Sequence, residues 1–250
     1  SSNAFTCTTG GTLTATYDNP SNNFATWNPI QRWNADTGSL SNGNTTYSVS
    51  DYSYNCRSTL AMPAGKWYWE GRQSNKDVRF GVTTANSNPD LDTDHTDFFW
   101  GDSGNGGVHV LASSVNADWA MSNNDTSRSY TTYSTGIASG VDDIIMVAMD
   151  VDNGKMYMGV NGVWFNSSDP AAGTNPVQTI TNGSPDPLCV IGSMATASAR
   201  VLDINFGNGY FGTTAVTSAN ADDAGIGAFE YDVPTGFYAL CTKNLKLQGG

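Results

Sequence analysis

Cations are scarce in this sequence: 11 Lys and Arg stand against 23 Asp and Glu, for a formal net charge of −12. Nucleic acid and anionic membrane are poor partners for such a chain, because both are bound through basic patches. Histidine is scarcer still, with His95 and His109 the only two. Gly-x-Ser-x-Gly, His-Glu-x-x-His and phosphate-cradling glycine loops are missing, so hydrolase, zinc-protease and nucleotide chemistry have no motif to work through. Four cysteines (Cys7, Cys56, Cys189, Cys241) lie far apart, without the Cys-x-x-Cys spacing of zinc or redox sites. Each lies in or beside an apolar segment and reads as a small buried thiol. An even count leaves two disulfides open, with Cys7 and Cys241 the pair most able to meet if the terminal strands are neighbours. No apolar run approaches the roughly 20 residues of a membrane span, and no signal peptide is visible. The chain does not begin with Met, which reads as processing, a tag or excision from something longer.

What the sequence does have is turn chemistry. Its 27 glycines, low charge (14%) and frequent Asn, Ser and Thr suit an all-β protein, and 11% aromatics give it a core to bury. Strand-like runs recur between turn signals: "GTLTATYD", "TTYSVSDYSYNCRSTLAM", "GKWYWEGRQ", "DVRFGVTT", "GGVHVLASS", "PLCVIGSM", "ARVLDINFG" and "GFYALC". The spacing predicts a β-sandwich or barrel in one domain spanning 1–250. "SANADDAGIGAFEY" is the only plausible helix, weakened by two glycines. In "KWYWE", alternation puts Trp67 and Trp69 on one face and Tyr68 on the other.

"VAMDVDNGKMYMGVNGVWFN" carries Asn-Gly twice, eight residues apart. Asn-Gly favours a two-residue type I′ hairpin, so the expectation is a three-strand meander. Counting outward sets Met149 opposite Met158, Val160 opposite Val163, and Trp164 opposite Gly159, which faces Ala148. Val147, Met149, Val151, Met156, Met158, Val160, Val163 and Phe165 then share one apolar face. Asp150 and Asp152 in its turn read as structural rather than metal-binding.

The order of these strands resembles SPRY domains. "GKWYWEGRQ" is similar to their Gly-(Lys/Arg)-x-Tyr-Trp-Glu strand, and "VRFGVTT" stands in the place of their Ile-Gly-Val/Ile-Ala strand. "VDDIIMVAMDVDNGKMYMGVNGVWF" resembles their signature strand pair, with Asp142-Asp143 where the pattern has Gly-Asp. "PLCVIGS" and "VLDINFG" match the late strands, so the resemblance runs roughly from Trp27 to Phe211, with extensions at both ends. It implies a bent, two-sheet antiparallel SPRY-like (concanavalin-like) sandwich whose loops bind protein or glycan, and no catalysis. The ends, "YDNPSNNFATWNP" and "FEYDVPTGFYALCTKNL", resemble SPRY-like modules of bacteriophage structural proteins.

The expected function is therefore that of a non-enzymatic virion protein: a tail fibre, spike or capsid decoration, assembled in the bacterial cytoplasm. Its partners would be a host-surface glycan or protein or other virion proteins, and a homo-oligomer fits that role. A glycan-cleaving tailspike is the enzymatic rival, because glycosidases need only two carboxylates about 5–9.5 Å apart. A purely architectural fibre module is the other alternative.

Long polar connections at 85–107, 116–129 and 166–187 are where binding is expected. Phe98, Phe99, Trp100, Trp119 and Tyr130 lie in or beside them and are the candidate ligand-binding residues, since aromatics beside Asn, Asp and Ser stack on sugars and anchor interfaces. They would equally serve to pack the loops. Asp90, Asp92, Asp94 and Asp97, with His95, are the candidate calcium ligands, as alternating carboxylates repel unless a cation neutralises them. The sixth-position Gly and closing Glu of an EF-hand are absent, so a solvated acidic turn is the alternative. No other cofactor is implied.

Overall fold

Turn residues cut this chain into short strands, and two large sheets collect all of them except one separate two-stranded pair. The structure, a computed structural model, describes residues 17–32, 38–49, 55–73, 78–85, 108–112, 118–123, 130–134, 142–179, 187–194 and 199–248, with backbone alone at 31–32, 55, 78–80, 108–112, 118–123, 130–134 and 193–194. In chain order the strands begin with Trp27–Arg32 (β1), Ser39–Ser41 (β2), Thr46–Val49 (β3), Asn55–Met62 (β4), Lys66–Gln73 (β5) and Val78–Thr84 (β6). Val108–Ala112 (β7), Asp118–Asn123 (β8), Tyr130–Ser134 (β9), Ile144–Asp150 (β10), Lys155–Val160 (β11) and Val163–Trp164 (β12) follow. Gln178–Thr179 (β13), Leu188–Met194 (β14), Arg200–Asn205 (β15), Tyr210–Phe211 (β16), Thr214–Ala215 (β17) and Tyr238–Ala239 (β18) precede one helix, Thr242–Gln248 (α1).

The first sheet runs β1-β4-β14-β6-β7-β8-β9; the second runs β12-β11-β10-β5-β15-β3-β2, with β13 on β11 and β18 on β5. All pairings but that of β18 are antiparallel. The inner faces meet through fully buried Trp27, Met62, Val82 and Val190 on one side, and Trp67, Trp69, Val147, Met149, Met156, Met158, Leu202 and Ile204 on the other. Gly192 marks the closest approach: a Cβ there would lie 2.6 Å from the Leu202 side chain and 2.8 Å from the Trp27 ring. The antiparallel two-sheet sandwich is thus as the sequence predicts.

The meander is present with one change of register. Asn161-Gly162 makes the tight turn, both residues at positive φ (49° and 83°), and pairs Val160 with Val163 and Gly159 with Trp164. The first hairpin instead pairs Asp150 with Lys155 and Met149 with Met156, two residues away from the expected partners. Asp150 is the reason. Its carboxylate accepts the Asn153 backbone N–H (3.0 Å) and side-chain amide (2.9 Å), closing a four-residue loop in which only Gly154 has positive φ. A shift of two leaves every strand side chain on its expected face. Gly159 consequently faces Met146, not Ala148. The third strand also ends early: Phe165 begins a 3-10 turn, and Val163 is half exposed rather than part of the core.

Residues 218–231, the expected helix, form turns instead. The Asp222 carboxylate accepts the N–H groups of Ala224 and Ile226 (both 2.9 Å), and Gly225 and Gly227 take positive φ, which no helix accommodates. Asp142, standing where the SPRY pattern has Gly, takes φ 69° on an exposed corner. Glycine reaches that conformation without steric cost, so Asp142→Gly should stabilise the chain by about 0.5–1 kcal/mol. A denaturant titration measures it, and a loss of stability would mean that the Asp142 side chain holds the corner.

Candidate functional site

Phe98, Phe99, Trp100, Asp90, Asp92, Asp94, Asp97 and His95 lie outside the described residues. Trp119 and Tyr130 belong to strands rather than to a loop: much of 116–129 is β8, where Trp119 pairs with Ala112 and Tyr133, and Tyr130 pairs with Ser122. Those rows differ in parity, so the two positions do not share one face of the sheet. Cys56, Cys189 and Cys241 are buried, and burial raises Cys189 and Cys241 above the usual thiol range. Cys7 lies outside the described residues.

Of the expected binding loops, residues 165–177 are described in full. They form a rigid, exposed bend that begins in the 3-10 turn. Asn166 (φ 57°), Ser167 (φ 52°) and Asn175 (φ 50°) all sit in the left-handed region, which is costly for side-chain-bearing residues. Crossed hydrogen bonds hold them there. The Asn175 amide donates to Ser167 O (3.2 Å), the Ser168 hydroxyl to Asn175 O, and the Asn166 amide to the carbonyls of Asn175 and Pro176 (both 3.3 Å). Asp169 and Thr174 exchange backbone bonds, and the Lys155 ammonium reaches in to Gly173 O (2.8 Å). Beneath the bend, burial raises the Tyr157 phenol, with Asp150 and Asp169 adding to the shift. The Asn166 and Asn175 amides and the Ser168 hydroxyl are spent on carbonyls within the bend, so what is fixed is the shape of an exposed polar turn.

The outer face of the second sheet is covered over β5 and β11. Residues 206–248 form a strap across it. Phe229 stacks edge-on against Tyr68 (5.0 Å between centroids) and Phe237 against Tyr157 (6.3 Å). The strap also enters the sheet: β15 pairs with β5 only from Glu70 to Gln73, and β18 continues that row in parallel at Trp67 and Tyr68. Beyond β18, Leu240 O accepts the Ala25 N–H (2.9 Å), and Thr242 N–H donates to Asn23 O (2.9 Å). Both faces of β5 are therefore buried, which explains why "KWYWE" carries bulky residues at every position.

One buried carboxyl group anchors the strap to β5, and it was not anticipated. Glu70 is fully buried on this outer face. Its Oε1 accepts the Tyr68 hydroxyl and the Tyr231 N–H, and its Oε2 the Glu230 N–H, all at 2.9 Å; the Asn205 amide is 3.4 Å from Oε2. Burial outweighs these donors and pushes its carboxyl up to about 7. The signal in the sequence was an acid on the same strand face as Tyr68.

Among the described residues no three His, Cys, Asp or Glu side chains gather to hold a metal, and no helix is long and apolar enough to cross a membrane. Asp150 and Asp152 are occupied structurally: Asp150 by Asn153 and by Lys66 at 3.6 Å, Asp152 by the Gly65 N–H at 2.9 Å.

No family model matches the sequence, and no curated protein is significantly similar to it. The likeness lies in the fold. The TRIM65 PSpry domain matches with a TM-score of 0.53 at 13% identity, over 73% of this chain and 89% of that one. The stonustoxin structure matches with a TM-score of 0.51 at 12% identity, over 72% of this chain and 28% of that one. The SPRY domain of human HERC1 has a TM-score of 0.46 at 12% identity, over 71% of this chain and 96% of that one. The architecture is that of a SPRY-like β-sandwich.

Proposed function

We propose that this chain is a non-enzymatic binding module of a bacteriophage virion protein, engaging a host-surface glycan or protein or a neighbouring virion protein through its loops. The observation that carries the binding reading is the bend at 165–177. Three left-handed residues are held in place there by the loop's own hydrogen bonds on an exposed bend, and such strain is concentrated where a surface is used. SPRY-like folds serve generally as protein-interaction modules, which supports binding over catalysis. The virion reading rests on the two end motifs. Asn23-Phe24-Ala25 from one and Leu240-Cys241-Thr242 from the other pair directly, so the resembling stretches form one structural unit.

The test is adhesion of the purified chain to host cells and to virion proteins. Trp100→Ala should lower it by about tenfold or more, as loss of an aromatic anchor does, while leaving the thermal midpoint unchanged. Undiminished adhesion by a folded Trp100→Ala variant removes Trp100 from the surface. Shortened chains in a glycan incubated with the protein would replace the binding reading with the glycan-cleaving one.

A further inference from the structure

Glu70 is a carboxylate sealed inside a sheet-and-strap interface with no cation in contact among the described residues. Its partners are a phenol, an amide and two backbone N–H groups. From β5 the charged neighbour on its face is Arg72, which is spent on Asp203 (2.8 Å) and on Phe211 O (3.0 Å). From β15 come Asn205 and that same Asp203; from β10, opposite Glu70 and Tyr68, the neutral Met146 and Ala148. The strap brings Glu230, Tyr231 and Asp232, and Asp143 acts on Tyr231, so the further titratable groups acting here are all acidic. A buried carboxylate in such company is relieved by taking up a proton.

We propose that the C-terminal strap is a proton-fastened latch: Glu70 gains a proton from water when residues 228–231 dock over it and returns it to water when the strap lifts. The hydrogen bonds permit this without orphaning the strap. A proton on Oε1 donates to the Tyr68 oxygen, which accepts it while its own O–H turns away from the carboxyl and gives up that acceptor. Each carboxyl oxygen still accepts one strap N–H, Oε1 from Tyr231 and Oε2 from Glu230. A group raised on docking stabilises the docked form fully below its free value, near 4.5, and loses that contribution as pH rises through about 7. The strap therefore loosens on the alkaline side of neutrality and fastens on the acid side.

Hydrogen exchange tests this directly, because the Glu230 and Tyr231 amides are themselves the latch. Protection of these two amides, corrected for intrinsic exchange, should fall by about 75-fold between about pH 5 and about pH 9 for a carboxyl that moves from near 4.5 to about 7 on docking. In Glu70→Gln, neutral at every pH, protection should be flat. The wild-type Glu70 carboxyl carbon resonance should titrate near 7, a measurement that needs no variant. A titration near the ordinary carboxylate value, or pH-independent protection in the wild type, or the same dependence in a folded Glu70→Gln, overturns the latch.

Discussion

A chain ending at Pro234 should lose its cooperative native fold, or unfold on the order of 15 °C lower. The missing segment carries Phe237, Ala239, Leu240 and Cys241, all fully buried, but burial is only part of the loss. The released residues regain conformational entropy, which offsets much of the apolar surface they no longer bury. The remaining chain has no such offset. Without β18, the β5 backbone at Trp67 and Tyr68 faces a gap inside a sheet, and buried unpaired backbone groups cost about 1–3 kcal/mol each. Ala25 loses its acceptor on Leu240, and Asn23 loses Thr242. Asp222 loses two of its four donors, the Ala239 N–H (2.9 Å) and the Asn244 amide (2.7 Å), which leaves its carboxylate half-satisfied. Together these should remove about 5 kcal/mol or more, comparable with the whole stability of many domains. Thermal denaturation followed by circular dichroism reads the outcome. A peptide of residues 235–248 added in trans should restore the transition by filling the gap. A truncated chain that unfolds within about 5 °C of the full one would mean that the strap is an ornament on a sandwich complete without it.

The sandwich was legible because its strands obey period two and its turns carry Asn-Gly and Pro-Ala-Gly. Trp67, Trp69 and Met149 could be assigned to a face without knowing the partner strand. Register was legible only where the turn residues act alone. At Asn161-Gly162 they do, and the expected pairing holds. At Asn153-Gly154 a side chain outside the turn, Asp150, captures Asn153 and lengthens the loop, a contact that dipeptide rules do not contain. The strap was illegible for a related reason. "SANADDAGIGAFEY" has the composition of a weak helix; Asp222 turns it by capturing the Ala224 and Ile226 N–H groups, and the same carboxylate reaches forward to Ala239 and Asn244 to hold the turn in place. Glu70 likewise reads as an ordinary strand-face acid until residues 160 positions away in sequence are seen to cover it. Local signals fixed faces and tight turns; long-range carboxylate anchors fixed what lies over them.

Trp69→Ala should cost about 3–5 kcal/mol, the range for a large aromatic removed from a core. Trp69 is fully buried on the inner face of β5, opposite Val147, at the junction where the row of β15 gives way to β18. No strand slides to fill a hole there, since β10 pins one side and two separate strands meet on the other. The cavity would therefore persist, which places the loss toward the upper part of the range. Trp69→Phe separates packing from polarity. The indole N–H meets no acceptor in the protein, unlike that of Trp67, which donates to Ala64 O at 2.7 Å. Phenylalanine discards that buried donor while keeping most of the ring, so its cost should stay within about 1.5 kcal/mol. Denaturant midpoints of the three proteins, compared at constant slope, give the two differences. A shift below about 1 kcal/mol for Trp69→Ala would take Trp69 out of the core. Equal costs for both variants would mean that the N–H, rather than the bulk of the ring, is what the site requires.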